Sequence, residues 1–483
     1  MSDKTIFDVV KDYINEGVTP FHMPGHKRKS EFFRGINFLD YDVTEFGDMD
    51  NLHNPDGAIL NAEKFASKVY ESFKSFYITN GSSCGILISI MATCKKGDKI
   101  IVARNCHKSV YNGLILSGAT PLYVYPDTMK NNLNTLIGGI NPSDIEEILK
   151  SEENVKAIIL TSVTYEGFCS DIEKIYSLAK KYNTILIVDE AHGAHFNFST
   201  FFPKSSIKNA DIIIQSLHKT LPCLGQSSIL HISERINSEK IIFYRNVFNT
   251  TSPSYMMMCM MDYALHKLFV DKNIFDEYIK NIISTRNILK KYHRIQLVDE
   301  KNVDINIYDV DLSRFTFLIN SNYYTGFEIE KILANDFKIQ VELSSFKHIT
   351  LISSVADDIN DFEKLINAIE KIDTLMISGD SGNESKIKYG DLNFNFIVKK
   401  KELALTLMQV VNKKSKKIKF KDSVGCISKE FITPYPPGIP AVVPGEIISG
   451  ELINDILFFI GHGGKVIEPT DKSLEYIEVV TED

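Results

Sequence analysis

The 483-residue sequence has no apolar run near the ~20 residues that a bilayer-crossing helix requires. The longest candidate, Cys84 to Cys94, is too short and is broken by Ser and Thr. The opening residues, MSDKTIFDVV, show no basic segment leading into an apolar one, so no secretory signal is read there. Cys-x-x-Cys pairs are missing as well. The seven cysteines (84, 94, 106, 169, 223, 259 and 426) lie scattered, which favours a reducing compartment over a disulfide framework or zinc ribbon. Neither a Walker loop nor Gly-x-Gly-x-x-Gly occurs, and this disfavours nucleotide binding through those motifs. Internal repeats and low-complexity tracts are absent. Positive charge is also short: 54 Lys and Arg against 62 Asp and Glu leave a net charge of −8. An acidic surface repels nucleic-acid phosphates and anionic lipids but suits a small cationic ligand. A cytoplasmic protein without nucleic-acid or membrane partners is expected.

What remains is ordinary globular composition, 44% hydrophobic and 24% charged, long enough for about three domains at roughly 150 residues each. From about residue 75 to 230, short β-branched runs alternate with helical patterns. The runs are 75–79, 99–103, 121–125, 156–162, 184–189, 210–216 and 227–232. Runs that are apolar on both faces and separated by helices predict a mostly parallel sheet covered on both sides. Such sheets bind ligands at the carboxyl ends of their strands. Met256 to Tyr292 reads as one or two long helices, and residues 295–371 as a smaller α+β unit. The boundaries drawn are 1–55 for an N-terminal arm, 56–290 for the large domain and 291–377 for the small one. Residues 378–390, rich in Gly and Ser, form the expected linker, and 391–483 a C-terminal domain. Its basic run, Asn412 to Lys421, is read as a solvated helix end in preference to a binding patch.

Four apolar residues, Ile185 to Val188, run into Asp189-Glu190-Ala191-His192. A carboxylate at a buried strand end needs a cation, either in a structural ion pair or as a protonated ring nitrogen or metal. The next such run ends in Ser216-Leu217-His218-Lys219. A desolvated lysine on that rim can form Schiff bases, although a lone lysine in a turn is usually only a surface group. Asn80-Gly81-Ser82-Ser83 follows another strand and opens an apolar helix. It is either a plain cap or an anion cradle built from free N–H groups and hydroxyls. His107 follows the next strand end and could lie flat on an aromatic cofactor. His22 and His26 have helical spacing, but Pro24 and Gly25 break a helix between them. His192 and His195 lack a third ligand, so no metal is expected. The Met256 to Met261 cluster reads as core filler, although a single chain would have difficulty covering all of it.

Taken in order, Phe21 to Lys27, Asp50 to His53, Asn80 to Ser83, Arg104 to Ser109, Asp189 to Gly193, Ser216 to Lys219, Thr250 to Pro253 and Pro436 to Glu446 resemble the Orn/Lys/Arg decarboxylases. The likeness runs nearly end to end and is to the short forms without an N-terminal wing domain. Many relatives have Gly-Thr-Ser where this chain has Gly81-Ser82-Ser83, which keeps the hydroxyl. The resemblance implies an α/β, aspartate-aminotransferase-like (fold-type I) large domain with a seven-stranded sheet, and pyridoxal phosphate as cofactor. By the same resemblance Lys219 holds the cofactor covalently, Asp189 pairs with its pyridine nitrogen, and His107 and His218 complete the catalytic set. Gly81, Ser82, Ser83, Ser216 and His218 would hold the phosphate. Ala191 and His192 would border the ring, while Thr251 and Ser252 reach the cofactor phosphate or the substrate carboxylate across a dimer interface. His22, His26, Lys27 and Glu446 would line the substrate entrance, of their own subunit or of the other. The implied activity is decarboxylation of a basic amino acid in polyamine biosynthesis, with arginine favoured over lysine or ornithine. An aminotransferase and a non-enzymatic regulator are more remote alternatives, the latter opposed by the presence of both Lys219 and Asp189.

Overall fold

The computed structural model describes residues 5–481 except 48, 128–135, 300–306, 322, 383–395, 397–398 and 436–437. All seven sequence runs become strands of one sheet. In chain order these are β2 (Lys74–Ile78), β3 (Lys99–Ala103), β4 (Thr120–Val124), β5 (Val155–Thr161), β7 (Ile185–Asp189), β8 (Ile212–Ser216) and β9 (Ser228–Ile232). Their spatial order is β2-β9-β8-β7-β5-β3-β4. Only β9 runs antiparallel to its neighbours, so its first residues meet the carboxyl ends of the others on one rim. Side-chain alternation explains why the runs are apolar throughout. Ile101, Ile158, Leu186 and Val188 enter the core on one face, while Ile100, Ile159 and Ile187 enter the core on the other.

Helices cover both faces. They include α2 (Ala58–Tyr70), α3 (Gly81–Thr93), α4 (Lys108–Ser117), α5 (Pro142–Ser151), α6 (Ile172–Lys181), the short α7 (Leu217–Thr220) and α8 (Ser238–Phe248). Helix α6 has its apolar residues Ile172, Ile175 and Ala179 buried, and Asp171 caps it by accepting from Lys174 N–H at 3.0 Å. Two long helices follow, α9 (Tyr255–Val270) and α10 (Asn273–Leu289). Met257, Met258, Met260 and Met261 of α9 are buried within the chain itself. The apolar patch expected there is therefore already covered by intramolecular packing.

The smaller unit is an antiparallel sheet ordered β10 (Ile295–Leu297), β12 (Arg314–Ile319), β15 (His348–Ile352), β14 (Leu343–Ser344), with α11 (Gly326–Phe337) and α12 (Ile359–Gly382). The N-terminal segment, with α1 (Ile6–Asn15), adds β1 (Thr19–Phe21) in parallel to β13 (Ile339–Val341) of this unit. A two-strand ladder of β6 (Phe168–Cys169) with β11 (Asp309–Val310) ties it to the large domain. The expected linker differs: α12 continues through Gly382, and 383–390 lie outside the described residues.

The C-terminal region holds α13 (Leu407–Val411), β16 (Ser415–Lys419), β17 (Thr433–Tyr435), α14 (Gly450–Gly461), β18 (Lys465–Ile467) and β19 (Tyr476–Val480). The basic run starts at a helix end, with Asn412 closing α13, but most of it is a strand. Ser415–Lys419 pairs antiparallel with β19, and its lysines stay largely exposed.

Candidate active site

The rim of the large sheet closes around a cavity of about 460 Å³. Its lining includes Gly81, Ser82, Ser83, His107, Asp189, Ala191, His192, Ser216, His218 and Lys219. Each comes from a strand end or the helix start that follows it. Asn80 leaves the first turn of α3 without a side-chain cap, because its amide donates to the Phe248 carbonyl instead. Gly81 takes φ +77°, a turn that favours glycine. The first N–H groups of this 13-residue helix therefore stay available beside the hydroxyls of Ser82 and Ser216, which bond each other. Ser228 Oγ lies 3.4 Å from Ser82 Oγ behind them, fully buried and donating to the Gln215 carbonyl at 2.9 Å, so the donors facing the cavity are those of α3, Ser82 and Ser216. A phosphate-sized anion fits this donor set.

Asp189 is 4% exposed, and Ala191 N–H donates to its Oδ1 at 3.1 Å. Burial raises this carboxyl, while Lys219 and the Ala191 N–H pull it back down. A protonated ring nitrogen would supply the counter-charge that burial makes valuable. Burial lowers the Lys219 amine, with Arg314 acting in the same direction and Asp189 and Glu342 against it. Its Nζ lies 3.1 Å from His192 Nε2 and 5.9 Å from the centre of the Tyr165 ring.

The three site histidines expected to touch the cofactor, His107, His192 and His218, are all held toward the neutral form. Burial, then the charges of Lys219 and Lys108, push His107 down to about 4. His107 caps α4: its Nδ1 accepts from Ser109 N–H at 3.2 Å, so the ring proton sits on Nε2. Burial likewise pushes His218 down to about 4, against a hydrogen bond to Ser227. That bond commits His218 Nδ1–H to the Ser227 carbonyl at 2.9 Å. Its Nε2 can then donate to an anion only after gaining a proton.

The far wall holds residues to which sequence reading gave no role. Tyr165 and Glu166 follow β5, and Tyr435, Ile467 and Glu468 come from the C-terminal region. Glu468 pairs with Lys108 and accepts from Thr433 Oγ1 at 2.6 Å, joining the two regions at this wall. The signal for Tyr165 and Glu166 was available: β5 ends on the same rim as β7 and β8, and each such end is a candidate. Pro436 and Pro437 lie outside the described residues.

Residues 5–338 match the family model for the Orn/Lys/Arg decarboxylase major domain, and residues 396–462 match the one for the C-terminal domain. The chain belongs to the Orn/Lys/Arg decarboxylase family. It is 31% identical to the arginine decarboxylase of Bacillus subtilis (strain 168), over 99% of this chain and 98% of that protein. Identity to the inducible lysine decarboxylase of Escherichia coli (strain K12) is 23%, over 91% and 74% of the two chains. The solved constitutive lysine decarboxylase of E. coli shares the fold at TM-score 0.77 and 19% identity, over 95% of this chain and 79% of that one.

Within this decarboxylase framework, several expected entrance residues sit elsewhere. Glu446 is fully buried in a two-pronged pair with Arg104, at 3.1 Å (Nε to Oε1) and 2.9 Å (Nη2 to Oε2), and accepts from Val443 N–H at 3.0 Å. Arg104, at the end of β3, also donates to the Pro440 and Ala441 carbonyls, so this pair docks the C-terminal region onto the sheet. Two charges need each other in the interior, which is why Glu446 is not at the entrance. Lys27 is buried too, donating to the carbonyls of His22 (3.0 Å) and Ile352 (2.7 Å). His22 bonds Tyr13 and the Met23 carbonyl, and His26 accepts from Arg28 N–H. From this segment Met23 lines the cavity, and none of the three expected residues does. Thr251 and Ser252 are exposed and lie outside this chain's own cavity lining.

Proposed function

We propose that this protein removes the α-carboxylate of a basic amino acid as CO2, with pyridoxal phosphate held on Lys219 and arginine as its preferred substrate. The observation that carries the reading is the convergence on one cavity of a half-buried lysine, a buried carboxylate and an uncapped helix start with hydroxyls. Bound there, pyridoxal phosphate supplies a ring that accepts the electron pair left by the departing carboxylate.

The chain's own residues do the rest. The α3 N-terminus and the hydroxyls of Ser82, Ser83 and Ser216 bind the phosphate and set the ring's position. Asp189 keeps the ring nitrogen protonated, because a charge pair there relieves its own desolvation. His107 and Ala191 bound the ring's two faces. Lys219 provides the attachment point and afterwards stands ready to return a proton to the α-carbon, so that one proton is taken up for each CO2 lost. Glu166 and Glu468 on the far wall give a distal guanidinium or ammonium carboxylates to meet. Among the described residues lining the cavity there is no arginine, the group that would clamp a carboxylate for transamination. The preference for arginine rests on the full-length likeness to arginine decarboxylases. We further propose a homodimer in which Thr251 and Ser252 complete the neighbouring site.

The test is turnover of arginine, lysine and ornithine with amine, CO2 and keto acid measured together, plus borohydride fixation of the cofactor. The expected result is amine and gas in equal amounts, no keto acid, highest kcat/KM on arginine, and label on Lys219. Keto acid without gas would refute decarboxylation. Faster turnover of lysine would refute the arginine preference, and label on Lys108 would refute the lysine assignment.

A further inference from the structure

Beside the cavity, two basic side chains converge on one imidazole. Lys219 Nζ lies 3.1 Å from His192 Nε2. On the other side, Arg314 Nη2 lies 3.2 Å from His192 Nδ1 and 3.0 Å from the His192 carbonyl oxygen. Arg314 opens β12 in the small unit, is 2% exposed, and is absent from the cavity lining. A guanidinium has N–H donors and no acceptor, and a neutral imidazole has one N–H and one lone pair. A hydrogen on Nδ1 would set donor against donor, so Nδ1 carries the lone pair and Nε2 the hydrogen. That Nε2–H cannot accept from an ammonium. The contacts agree with one protonation pattern: Arg314 charged, His192 neutral with its hydrogen on Nε2, and Lys219 an uncharged amine that accepts.

We propose that Arg314 is a positioning residue for Lys219: it sets the tautomer of His192 and so holds the lysine as an uncharged amine before the cofactor arrives. This rests on the reading of Lys219 as the cofactor lysine. An uncharged amine is the form that condenses with an aldehyde. Its lone pair leaves the His192 hydrogen bond and forms the new C–N bond. The two amine hydrogens and the carbonyl oxygen depart as water, with no oxidant or reductant needed.

The surroundings bear on both partners. Burial and Arg314 favour the uncharged lysine, whereas Asp189 and Glu342 favour the ammonium. Burial is the largest influence on His192 and holds it neutral, with Lys219, Arg314, His218 and His107 adding in the same direction. The Tyr165 ring packs 4.6 Å from the His192 ring. Arg314 keeps its place beside Asp311, whose Oδ2 is 3.5 Å from Nε. Burial alone would raise the Asp311 carboxyl, but His195, Arg314 and Ser313 hold it at about 2.

The experiment strips the full chain of cofactor and follows recombination with pyridoxal phosphate, by its visible band, as a function of pH. In Arg314→Gln the midpoint of the rate profile should move up by about one pH unit, which is about tenfold slower recombination below the midpoint. A variant that only loosened the fold would slow recombination at every pH without moving the midpoint. The tautomer is read independently in the unsubstituted cofactor-free chain by 15N NMR of labelled histidine, with His192 assigned by its loss in His192→Gln. Hydrogen on Nε2 is expected. An unmoved midpoint in folded Arg314→Gln, or hydrogen on Nδ1 of His192, would overturn the inference while leaving the cofactor reading intact. No visible band in the unsubstituted chain would overturn both.

Discussion

Asp189 is the clearest case of a residue whose role follows from its place. It ends an apolar strand on the buried rim, 4% exposed, and burial raises its carboxyl unless a cation arrives. Replacing it with Ala should leave phosphate binding largely in place while kcat falls by several orders of magnitude, on the scale of the ~10⁴ lost when an orienting carboxylate is removed elsewhere. Cofactor content measured beside turnover separates the two effects. Near-normal kcat in Asp189→Ala would refute the electron-sink role. Other residues were misjudged for an equally physical reason. Glu446 ends a loop rich in Pro and Gly, which reads as surface, yet its partner Arg104 is hundreds of positions earlier in sequence and takes it into the interior. Arg314 had no local signal at all, because the histidine it meets is in another unit.

At the scale of elements, strands of the large sheet were legible because both faces of each are buried, leaving uninterrupted β-branched runs. In the lysine-rich run at 412–421 the helix end stops at Asn412 and the strand at Ser415–Lys419 left no signal, because a charged stretch has no period to distinguish helix from strand. Its pairing with β19 decided the matter. Strand β9 carries a further consequence. His231 there is fully buried, with Nδ1 2.8 Å from Ser75 Oγ and Nε2 3.2 Å from Gln215 Oε1, stitching β2 and β8 to β9. Burial pushes its pKa down to about 3. The unfolded chain binds this proton near pH 6.5, the folded chain only near 3, so the contribution is complete above 6.5 and lost as pH falls toward 3. In His231→Leu the loss of stability between pH 7 and pH 5 should shrink by about 2 kcal/mol. Urea unfolding of the cofactor-free protein at the two pH values measures it. Equal losses in both proteins would refute the assignment.

For the whole molecule, the case for association rests on a different surface from the one the sequence pointed to. The methionines of α9 are covered within one chain, but α1 leaves Ile6, Val9, Val10 and Ile14 exposed, and Leu39 and Phe46 are exposed beyond it. An amphipathic helix with a bare apolar face gains by covering it, and a two-fold dimer is the commonest way. Thr251 and Ser252, exposed in the turn before α9, then become candidates for the partner's cavity. Mixing an inactive Lys219→Ala chain with an inactive Thr251→Ala/Ser252→Ala chain should restore activity, up to about one intact site per hybrid dimer. Demonstrably mixed dimers with no activity, or a fully active monomer in sedimentation, would refute the shared site.

The sequence by itself determined the alternation of strands and helices, the rim on which chemistry gathers, and the placing of Lys219 and Asp189 on that rim. These depend on local periodicity and on residues that stand at the ends of buried strands. Only the tertiary structure decided that Glu446 and Lys27 are interior, that Tyr165 and Glu468 face the cavity, and that Arg314 reaches His192. Each of those facts turns on two distant segments meeting in a dry interior, where a charge must find a partner. No single stretch of sequence records which partner that is.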